Sequence, residues 1–595
     1  MNIDATNLHD MSNALRATAL RALLCAKSGH IGIALGAADI VTMIYGVILN
    51  QEYDKFILSA GHGSALLYSV LKLSGYRIGD LDSFRRLGGL PGHPEFGIAG
   101  VSATTGPLGQ GVANAVGMAL AKKHSGTNGV VYCLCSDGDL MEGVAQEAIA
   151  FAGRYKLNNL VLLWDNNGTS IDGIAQTDIN IPMRMRAAGW TVCAANGHDF
   201  NELYDAINTP SDSPLFIKCD TVIGLGSNVS GTSRAHGYDL PDREISSLIE
   251  QFDSKQGYEL WKILSRQNHS NSHTNKYPNI PNVLLPDAQH FISTREMSGI
   301  YLEKLLQKNA NIVIGSADLG HSTNVRVPGT IEITPDDFSG NYINYGVREH
   351  AMAAIMNGMA YCGTRAVGST FLVFSDYMRG AMRLSALAQL PVVYVLTHDS
   401  IAVGQDGPTH QPIEQLAGLR LIPNMNVFRP CNMTEVAWSW RTALSETNRP
   451  SCIVLSRQKI MRVGGPVSGY IDAGAYVIYR PKMNRVRITI IATGSEVPLA
   501  VAVARRMKIG TQVVSMPSVS HFREMNSEYK RNMLRGRIIA IEAGATAPWF
   551  EFADDVIGLD EFGLTGPGDM VYREYGFDAD AIVDAITVKM KNGRF

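Results

Sequence analysis

Short, continuously apolar stretches recur along the 595-residue chain, each leading through a glycine-bearing turn into a stretch with helical spacing. Val130-Val-Tyr-Cys-Leu-Cys135 passes through Ser136-Asp-Gly-Asp139 into a predicted helix over 140–154, and the apolar run Leu160-Val-Leu-Leu-Trp164 follows. The rhythm returns as Ile312-Val-Ile314, a helix near 348–361 and Val392-Val-Tyr-Val-Leu396. It returns again as Ile488-Thr-Ile-Ile-Ala492, the turn Thr493-Gly-Ser-Glu496 and a helix near 497–507. Strands that are apolar at every position are buried on both faces, as in parallel sheets covered by helices. The expected fold class is therefore α/β, with three doubly wound parallel-sheet domains.

Two polar stretches interrupt the rhythm. Ser265 to Asn282 is rich in Asn, Ser and Pro and predicts an exposed linker; the glycines from Gly464 to Gly469 mark a softer boundary. The expected domains are 1–282, 283–467 and 468–595. One apolar segment, Ile31 to Leu49, carries a single charge, Asp39. An acid at the centre of a spanning helix costs ~2.5–3.5 kcal/mol, and glycines at 32, 36 and 46 weaken the case further. A buried helix is expected there, and no membrane partner.

Composition narrows the partners. Lys plus Arg number 52 against 55 acids, for a net charge of −3, so no basic field exists to hold a nucleic acid. The eight cysteines form no C-x-x-C and lie mostly within apolar runs, which suits buried thiols in a reducing compartment. Met1 to Asp10 has neither the basic start nor the apolar centre of a secretory signal. A soluble, cytoplasmic protein is the expectation.

In open parallel sheets, ligands gather beyond the carboxyl ends of the strands. Asp137 stands at one such end and Asn167 at the end of the next strand, so two hard oxygen ligands would converge if the strands are neighbours. A small cation such as Mg²⁺ takes few protein ligands and fills its shell with phosphate and water. A turn Asp and a turn Asn explain the same residues equally well. Thr105-Gly-Pro-Leu-Gly-Gln-Gly111, ahead of a helix, permits close approach to a ligand but also makes an ordinary structural turn. His30, His62, His93, His236, His398 and His410 all lie among Gly, Pro, Ser or Thr, in the surface turns where function concentrates.

Four motifs carry a resemblance. Ser28-Gly-His30, Thr105-Gly-Pro-Leu-Gly-Gln-Gly-Val-Ala-Asn114, Tyr345-Gly-Val-Arg-Glu-His350 and His398-Asp-Ser-Ile-Ala-Val-Gly-Gln-Asp-Gly-Pro-Thr-His410 match, in order and spacing, those of the transketolases. The chain resembles that family from about Leu15 to the end of its second domain, and more weakly beyond. The resemblance implies a homodimer with thiamine diphosphate between the first domain of one chain and the second of the other. It implies Mg²⁺ held by Asp137, Asn167 and the carbonyl of Thr169, with Ca²⁺ or Mn²⁺ able to take its place. His62 and His236 would contact the diphosphate beside Gly138, and Gly106 and Leu108 the bent cofactor. Phe371, Phe374 and Tyr377 would enclose the pyrimidine, with Asp318 near the thiazolium. Glu349 would hydrogen-bond the pyrimidine nitrogen, and Glu142 with Glu147 would link paired sites.

The same resemblance implies ketol transfer between phosphorylated sugars of the pentose phosphate pathway, such as xylulose 5-phosphate and ribose 5-phosphate. His30 and His236 would serve the C3 hydroxyl, His410 the carbonyl oxygen, His93 the C1 hydroxyl and Asp406 the acceptor's C2 hydroxyl. Arg295, Ser322, His398 and Arg457 would hold the terminal phosphate, which two guanidinium groups suit. Departures from the family pattern are Ser136 for Gly, Ile31 for Pro, Thr169 for Ile and Gln405 for Glu. The alternatives are 1-deoxy-D-xylulose 5-phosphate synthase, dihydroxyacetone synthase and a non-catalytic relative. Pro91-Gly-His93-Pro-Glu95, His236 and the His398–His410 run fit ketol transfer better than the first of these. A non-catalytic relative would be expected to lack some of Glu349, His30, Asp137 or Asn167, and all are present. The third domain shows no chemical constellation in Ser515-Met-Pro-Ser518 or Ile541-Glu-Ala-Gly544 and is expected to pack at the dimer interface.

Overall fold

A computed structural model describes residues 4–266, 277–279, 281, 283, 291–308, 311–482 and 485–591. Most of the expected linker at 265–282 lies outside the described residues. The chain forms two compact units, the first comprising Met1–Lys276, Thr334–Ser339 and Ala354–Gly363, the second the remainder.

The first unit is built on five parallel strands: β1 (Lys55–Leu58), β2 (Val131–Ser136), β3 (Leu160–Asn166), β4 (Thr191–Asn196) and β5 (Leu215–Asp220), in the order β1-β2-β3-β5-β4. Every residue of β2 is buried, as its unbroken apolar run requires. β2 and β3 are neighbours in register, with Ser136 opposite Asp165, so the turns after both strands open at one edge of the sheet. Helix α1 (Ala5–Ala26) starts at Asp4, whose carboxylate accepts the Thr6 N–H at 3.0 Å. Its Leu15, Leu20 and Leu23 join Ile33, Val41, Leu66 and Trp261 in the core.

The apolar segment from Ile31 is buried, but it is not one helix. It folds as Ile31–Gly36, Ala38–Met43 and a wider-pitched turn Ile44–Ile48, with the break at Ala37. Close packing is the reason at Gly36, where a Cβ would lie 2.9 Å from the Val222 carbonyl. Asp39 is buried against Arg16 (2.5 Å), Ser12 and His198 Nδ1 (2.7 Å). Burial alone would raise its pKa, but Arg16 and these hydrogen bonds hold it at about 2. No helix among the described residues is long and apolar enough to cross a membrane.

The second unit carries two large sheets, besides a two-stranded antiparallel pair of Phe291–Ile292 with Ile460–Met461. The six-stranded one contains β6 (Val313–Ser316), β7 (Tyr342–Asn344), β8 (Ala366–Phe371), β9 (Val393–Thr397), β10 (Asn426–Phe428) and β11 (Ser451–Leu455), all parallel, in the order β7-β6-β8-β9-β11-β10. The other contains β12 (Tyr476–Tyr479), β13 (Ile488–Ala492), β14 (Thr511–Ser515), β15 (Arg537–Ile541) and β16 (Asp555–Ile557), in the order β12-β14-β13-β15-β16. Its edge strand β12 runs antiparallel to β14, which the repeating rhythm does not anticipate. The connection 480–487 is too short for the crossover helix that a parallel β12 would need. All eight cysteines are free; Cys133, Cys135, Cys219, Cys431 and Cys452 are buried, while Cys25 is exposed.

Candidate active site

In the first unit, β2 ends at Ser136, which caps a short helical turn, Asp137–Met141, in a reciprocal capping box with Asp139. Asp139 is fully buried. One carboxylate oxygen accepts from the N–H and hydroxyl of Ser136, each at 2.9 Å. The other accepts from Ser59 Oγ (2.6 Å) and from the Gly109 N–H (2.7 Å). One side chain thus ties together the end of β1, the glycine-rich loop and the turn that carries Asp137. Ser136, where the family has Gly, therefore has a structural task.

The glycine-rich loop needs its glycines. Gly106 has φ +151° and Gly109 φ +79°. Leu108 lies over Gly138 so closely that a Cβ there would be 2.7 Å from Leu108 Cδ1. Glu142, exposed, caps the helix Gly143–Arg154 through its carbonyl, and its stem rests against Gly109.

Asp137 is buried at the end of β2. Its Oδ1 accepts weakly from Trp164 Nε1 at 3.3 Å, and its Oδ2 is buried with no hydrogen-bond partner among the described residues. Burial first, and the neighbouring Asp165 carboxylate second, push its pKa up to about 7. Asn167, beyond the end of β3, donates to Asp165 Oδ2 at 3.2 Å and accepts the Thr169 N–H at 3.1 Å. A carboxylate with an empty coordination direction, an amide oxygen and a nearby backbone carbonyl form the hard-oxygen donor set that a small divalent cation prefers.

These groups line a cavity of about 340 Å³, with His30, His62, His236, Gly106 and Leu108 on its walls. The ring centroids of His30 lie 5.1 Å from His62, 5.4 Å from His236 and 6.4 Å from His93. Burial, reinforced by their neighbours, lowers His30 to about 4 and His62 to about 3, and burial also lowers His93 and His236. All four are neutral imidazoles at pH 7, able to accept a proton and to donate one. His30 is aimed by the turn before it, with Lys27 left-handed and Gly29 at φ +136°, where a Cβ would strike Leu23.

In the second unit, Glu349 is the first residue of the helix Glu349–Tyr361 and is only 8% exposed. Its Oε1 accepts from Thr370 Oγ1 at 3.1 Å. Thr370 precedes Phe371 at the end of β8, where the chain turns into the helix Ser375–Leu387. The rings of Phe371 and Phe374 stack with centroids 5.8 Å apart, and Tyr377, largely exposed, lies 6.1 Å from Phe374. His398 stacks on Phe371 at 3.6 Å, and His410 meets Phe374 edge-on at 5.3 Å.

His398 follows β9 with φ +63°, and its Nδ1 pairs with Thr397 Oγ1 at 2.8 Å. Burial, then Arg295 and Arg457, lower its pKa to about 3. Arg295 Nη1 donates to the Ser322 carbonyl at 2.5 Å, and its Nε is buried without a partner among the described residues. Arg457 Nη1 donates to the Val403 carbonyl at 3.3 Å. Neither guanidinium forms an ion pair among the described residues, and burial, then the charge of Arg457, lower the pKa of Arg295. Two such cations beside a neutral imidazole form an anion site. Asp318, exposed at φ +62°, borders a recess of about 90 Å³ with Ser322, and Asp406 is exposed at the end of the turn Ile401–Asp406.

The structure thus brings the sequence-expected residues together in two groups, one in each unit. Sequence reasoning missed Asp139, Asp165 and Thr370. Asp139 had a legible signal, the Ser-x-x-Asp capping pattern; Asp165 was masked inside an apolar strand, and Thr370 carries no local signature.

Comparisons with known proteins agree along the whole chain. Residues 8–275 match the transketolase thiamine diphosphate-binding domain, 290–462 the transketolase pyrimidine-binding domain and 474–578 the transketolase-like C-terminal domain. A Sinorhizobium medicae transketolase is 39% identical, over 97% of this chain and 93% of its own length. Among solved structures, a transketolase from Leishmania mexicana superposes with a TM-score of 0.90 at 31% identity, covering 97% of this chain and 96% of that one. A Pichia stipitis transketolase in complex with sedoheptulose 7-phosphate gives 0.87 at 33% identity, covering 99% and 98%.

Proposed function

From the premise that this chain belongs to the transketolase family of thiamine diphosphate-dependent enzymes, we propose how its own residues divide the work of ketol transfer. The enzyme is a transketolase: it moves a two-carbon ketol unit reversibly from a ketose phosphate to an aldose phosphate. The observation that carries the assignment is the buried Oδ2 of Asp137, without a hydrogen-bond partner among the described residues, in a cavity that Asn167 also lines. A buried carboxylate left without a partner is costly unless a cation completes it. Asp137, Asn167 and the Thr169 carbonyl would hold Mg²⁺, His62, His236 and Gly138 would hold the diphosphate, and Gly106 and Leu108 would hold the rest of the cofactor. Phe371, Phe374 and Tyr377 would receive the pyrimidine ring, and Asp318 would serve the thiazolium. Bound thiamine diphosphate supplies the electron sink that lets the ketose C2–C3 bond break.

Glu349, its carboxyl group oriented by the Thr370 hydroxyl, would supply the acid that hydrogen-bonds a ring nitrogen of the bound pyrimidine. His30 and His236, neutral at pH 7, accept the proton of the C3 hydroxyl, and His93 holds the C1 hydroxyl. His410 donates to the carbonyl oxygen, and Asp406 accepts from the acceptor's C2 hydroxyl. Arg295, Arg457, Ser322 and His398 hold the terminal phosphate. If the Thr397 hydroxyl donates to Nδ1 of His398, its Nε2 carries the hydrogen and turns it toward the anion. The Pichia stipitis complex with a phosphorylated ketose supports this class of substrate.

Residues of the two groups meet in a homodimer, the first domain of one chain facing the second of its partner, with Glu142 near the link between sites. The domains fall at 1–282, 283–467 and 468–595, and the enzyme works in the cytoplasm on sugars of the pentose phosphate pathway. The test is product formation from xylulose 5-phosphate and ribose 5-phosphate. Sedoheptulose 7-phosphate that appears only when thiamine diphosphate and Mg²⁺ are supplied is expected. A folded protein that binds both and forms no product contradicts the assignment.

A further inference from the structure

The run His398–His410 does not hold its shape alone. Gly404 lies at φ +77°, ψ −106°, and a Cβ on it would sit 2.8 Å from the Gly568 backbone nitrogen. A Cβ on Gly568 would in turn lie 2.5 Å from the Ala402 carbonyl oxygen. Backbone therefore meets backbone, at a distance only a glycine pair permits. Gln411 fastens the far end of the run: its Nε2 donates to the Gly404 and Leu564 carbonyls, both at 2.9 Å.

The near end is fastened through charge. Arg429, fully buried, pairs with Asp399 (2.7 Å) and with Glu496, and Glu542 lies 3.6 Å away. Tyr572 Oη is 2.9 Å from Ser400 Oγ and 2.8 Å from Glu496 Oε1. Glu496, Glu542, Leu564, Gly568 and Tyr572 all belong to the third sheet's domain, which contributes none of the substrate contacts assigned above. Glu542 lies within Ile541-Glu-Ala-Gly544, where the sequence shows no chemistry.

We infer that the third domain acts as the brace of the substrate run, with Gly568 and Tyr572 as positioning residues that set where Asp406 and His410 stand. The inference rests on the assignment of those two side chains to the sugar. A buried ionic hub fixes the start of the run, and two glycines and an amide fix its end. Nothing else among the contacts named here holds Gly404 in its left-handed conformation. Displacement of a binding group by even ~1 Å weakens sugar positioning strongly.

Two variants of the dimeric holoenzyme test it, Gly568→Ala and Tyr572→Phe. Steady-state kinetics, cofactor titration by protein fluorescence and hydrogen exchange of residues 400–411 are compared with wild type. We expect Gly568→Ala to raise the acceptor KM about tenfold through Asp406 and to lower kcat about tenfold through His410, with cofactor affinity unchanged. Amides of 400–411 exchange faster, while those of β2 and β3 keep their protection. Tyr572→Phe shifts the same quantities in the same direction by about threefold and decides the matter if Gly568→Ala fails to fold. Unchanged KM and unchanged exchange in 400–411 would overturn the inference, as would a loss spread evenly over kcat, cofactor affinity and exchange throughout the chain. If wild type forms no sugar product, the functional assignment fails. Exchange at 400–411 in the same variants then still shows whether the brace exists.

Discussion

The carboxylate of Asp139 accepts the backbone N–H of Gly109 at 2.7 Å, across thirty residues of sequence. That single bond locks the glycine-rich loop to the turn carrying Asp137 and makes the cavity wall one body. In Asp139→Asn, at least one of the four donors now served by the carboxylate would face an NH₂ group. Hydrogen bonds to a charged group contribute about 1.5–3 kcal/mol each. A destabilisation of about 2–4 kcal/mol and a clear loss of cofactor affinity are expected, read by denaturant unfolding and by titration. Wild-type stability and affinity would remove Asp139 from the account.

Burial raises the pKa of both carboxyls, but Asp137 has far fewer donors than Asp139 to offset that burial. The Asp137 charge is unfavourable in the protein without metal, because burial and Asp165 both oppose ionisation. Asp137→Asn is therefore expected to leave the metal-free protein as stable as wild type or more so, while Mg²⁺-dependent cofactor binding falls at least about 100-fold. Thermal melts with and without Mg²⁺ and thiamine diphosphate separate the two effects. A variant destabilised without metal would show that the carboxylate serves the fold.

Glu349→Gln preserves the shape of the side chain and its contact with Thr370 but removes the acid. Cofactor affinity is expected to stay within a few fold, while turnover falls at least about 100-fold at saturating cofactor. Near wild-type turnover would contradict the proton-sharing role.

The pH dependence of the metal-free protein follows from buried groups. His30, His62 and His398 are lowered to about 4, 3 and 3, so below pH 6.5 the unfolded chain binds protons that the folded chain refuses. Stability therefore falls as pH drops. Asp137, raised to about 7, and the buried Asp139, Asp165 and Glu435, which burial also raises, oppose this, but burial lowers His93, His236, His350 and His521 as well, so among the described residues seven histidines stand against four carboxylates. Below pH 4.5 a second loss begins. Burial disfavours the Glu542 charge, yet Arg420 and Arg429 hold it near 2, and Arg16 does the same for Asp39. Stabilisation from both is present above their ordinary values and is lost as pH falls toward 2. Melting temperature should decline from pH 7 to 5 and more steeply below 4; a rise between 7 and 5 would contradict the burial of these histidines.

The parts of this molecule that were legible in sequence are those encoded locally. The unbroken apolar run at Val131–Cys135 announced a two-sided buried strand, and Asp137 and Asn167 announced strand-end ligands because turns concentrate at such ends. Thr370 was not legible, because its bond to Glu349 spans twenty-one residues and any hydroxyl could make it. Arg429 was hidden for the same reason: its partners Asp399, Glu496 and Glu542 are scattered along the chain and converge only in the fold. The antiparallel β12 was missed because apolar runs do not encode strand direction. Ile31–Leu49 was correctly placed inside, yet its apolar pattern does not mark the break at Ala37.

The most direct measurement is carbon tracing. Xylulose 5-phosphate labelled with ¹³C at C1 and C2 is incubated with ribose 5-phosphate, thiamine diphosphate, Mg²⁺ and the enzyme, and the product is followed by NMR. Ketol transfer gives sedoheptulose 7-phosphate labelled at C1 and C2 only, with glyceraldehyde 3-phosphate unlabelled. Label in the three-carbon product, or carbon–carbon bond formation only when pyruvate replaces the ketose phosphate, would contradict ketol transfer by this site.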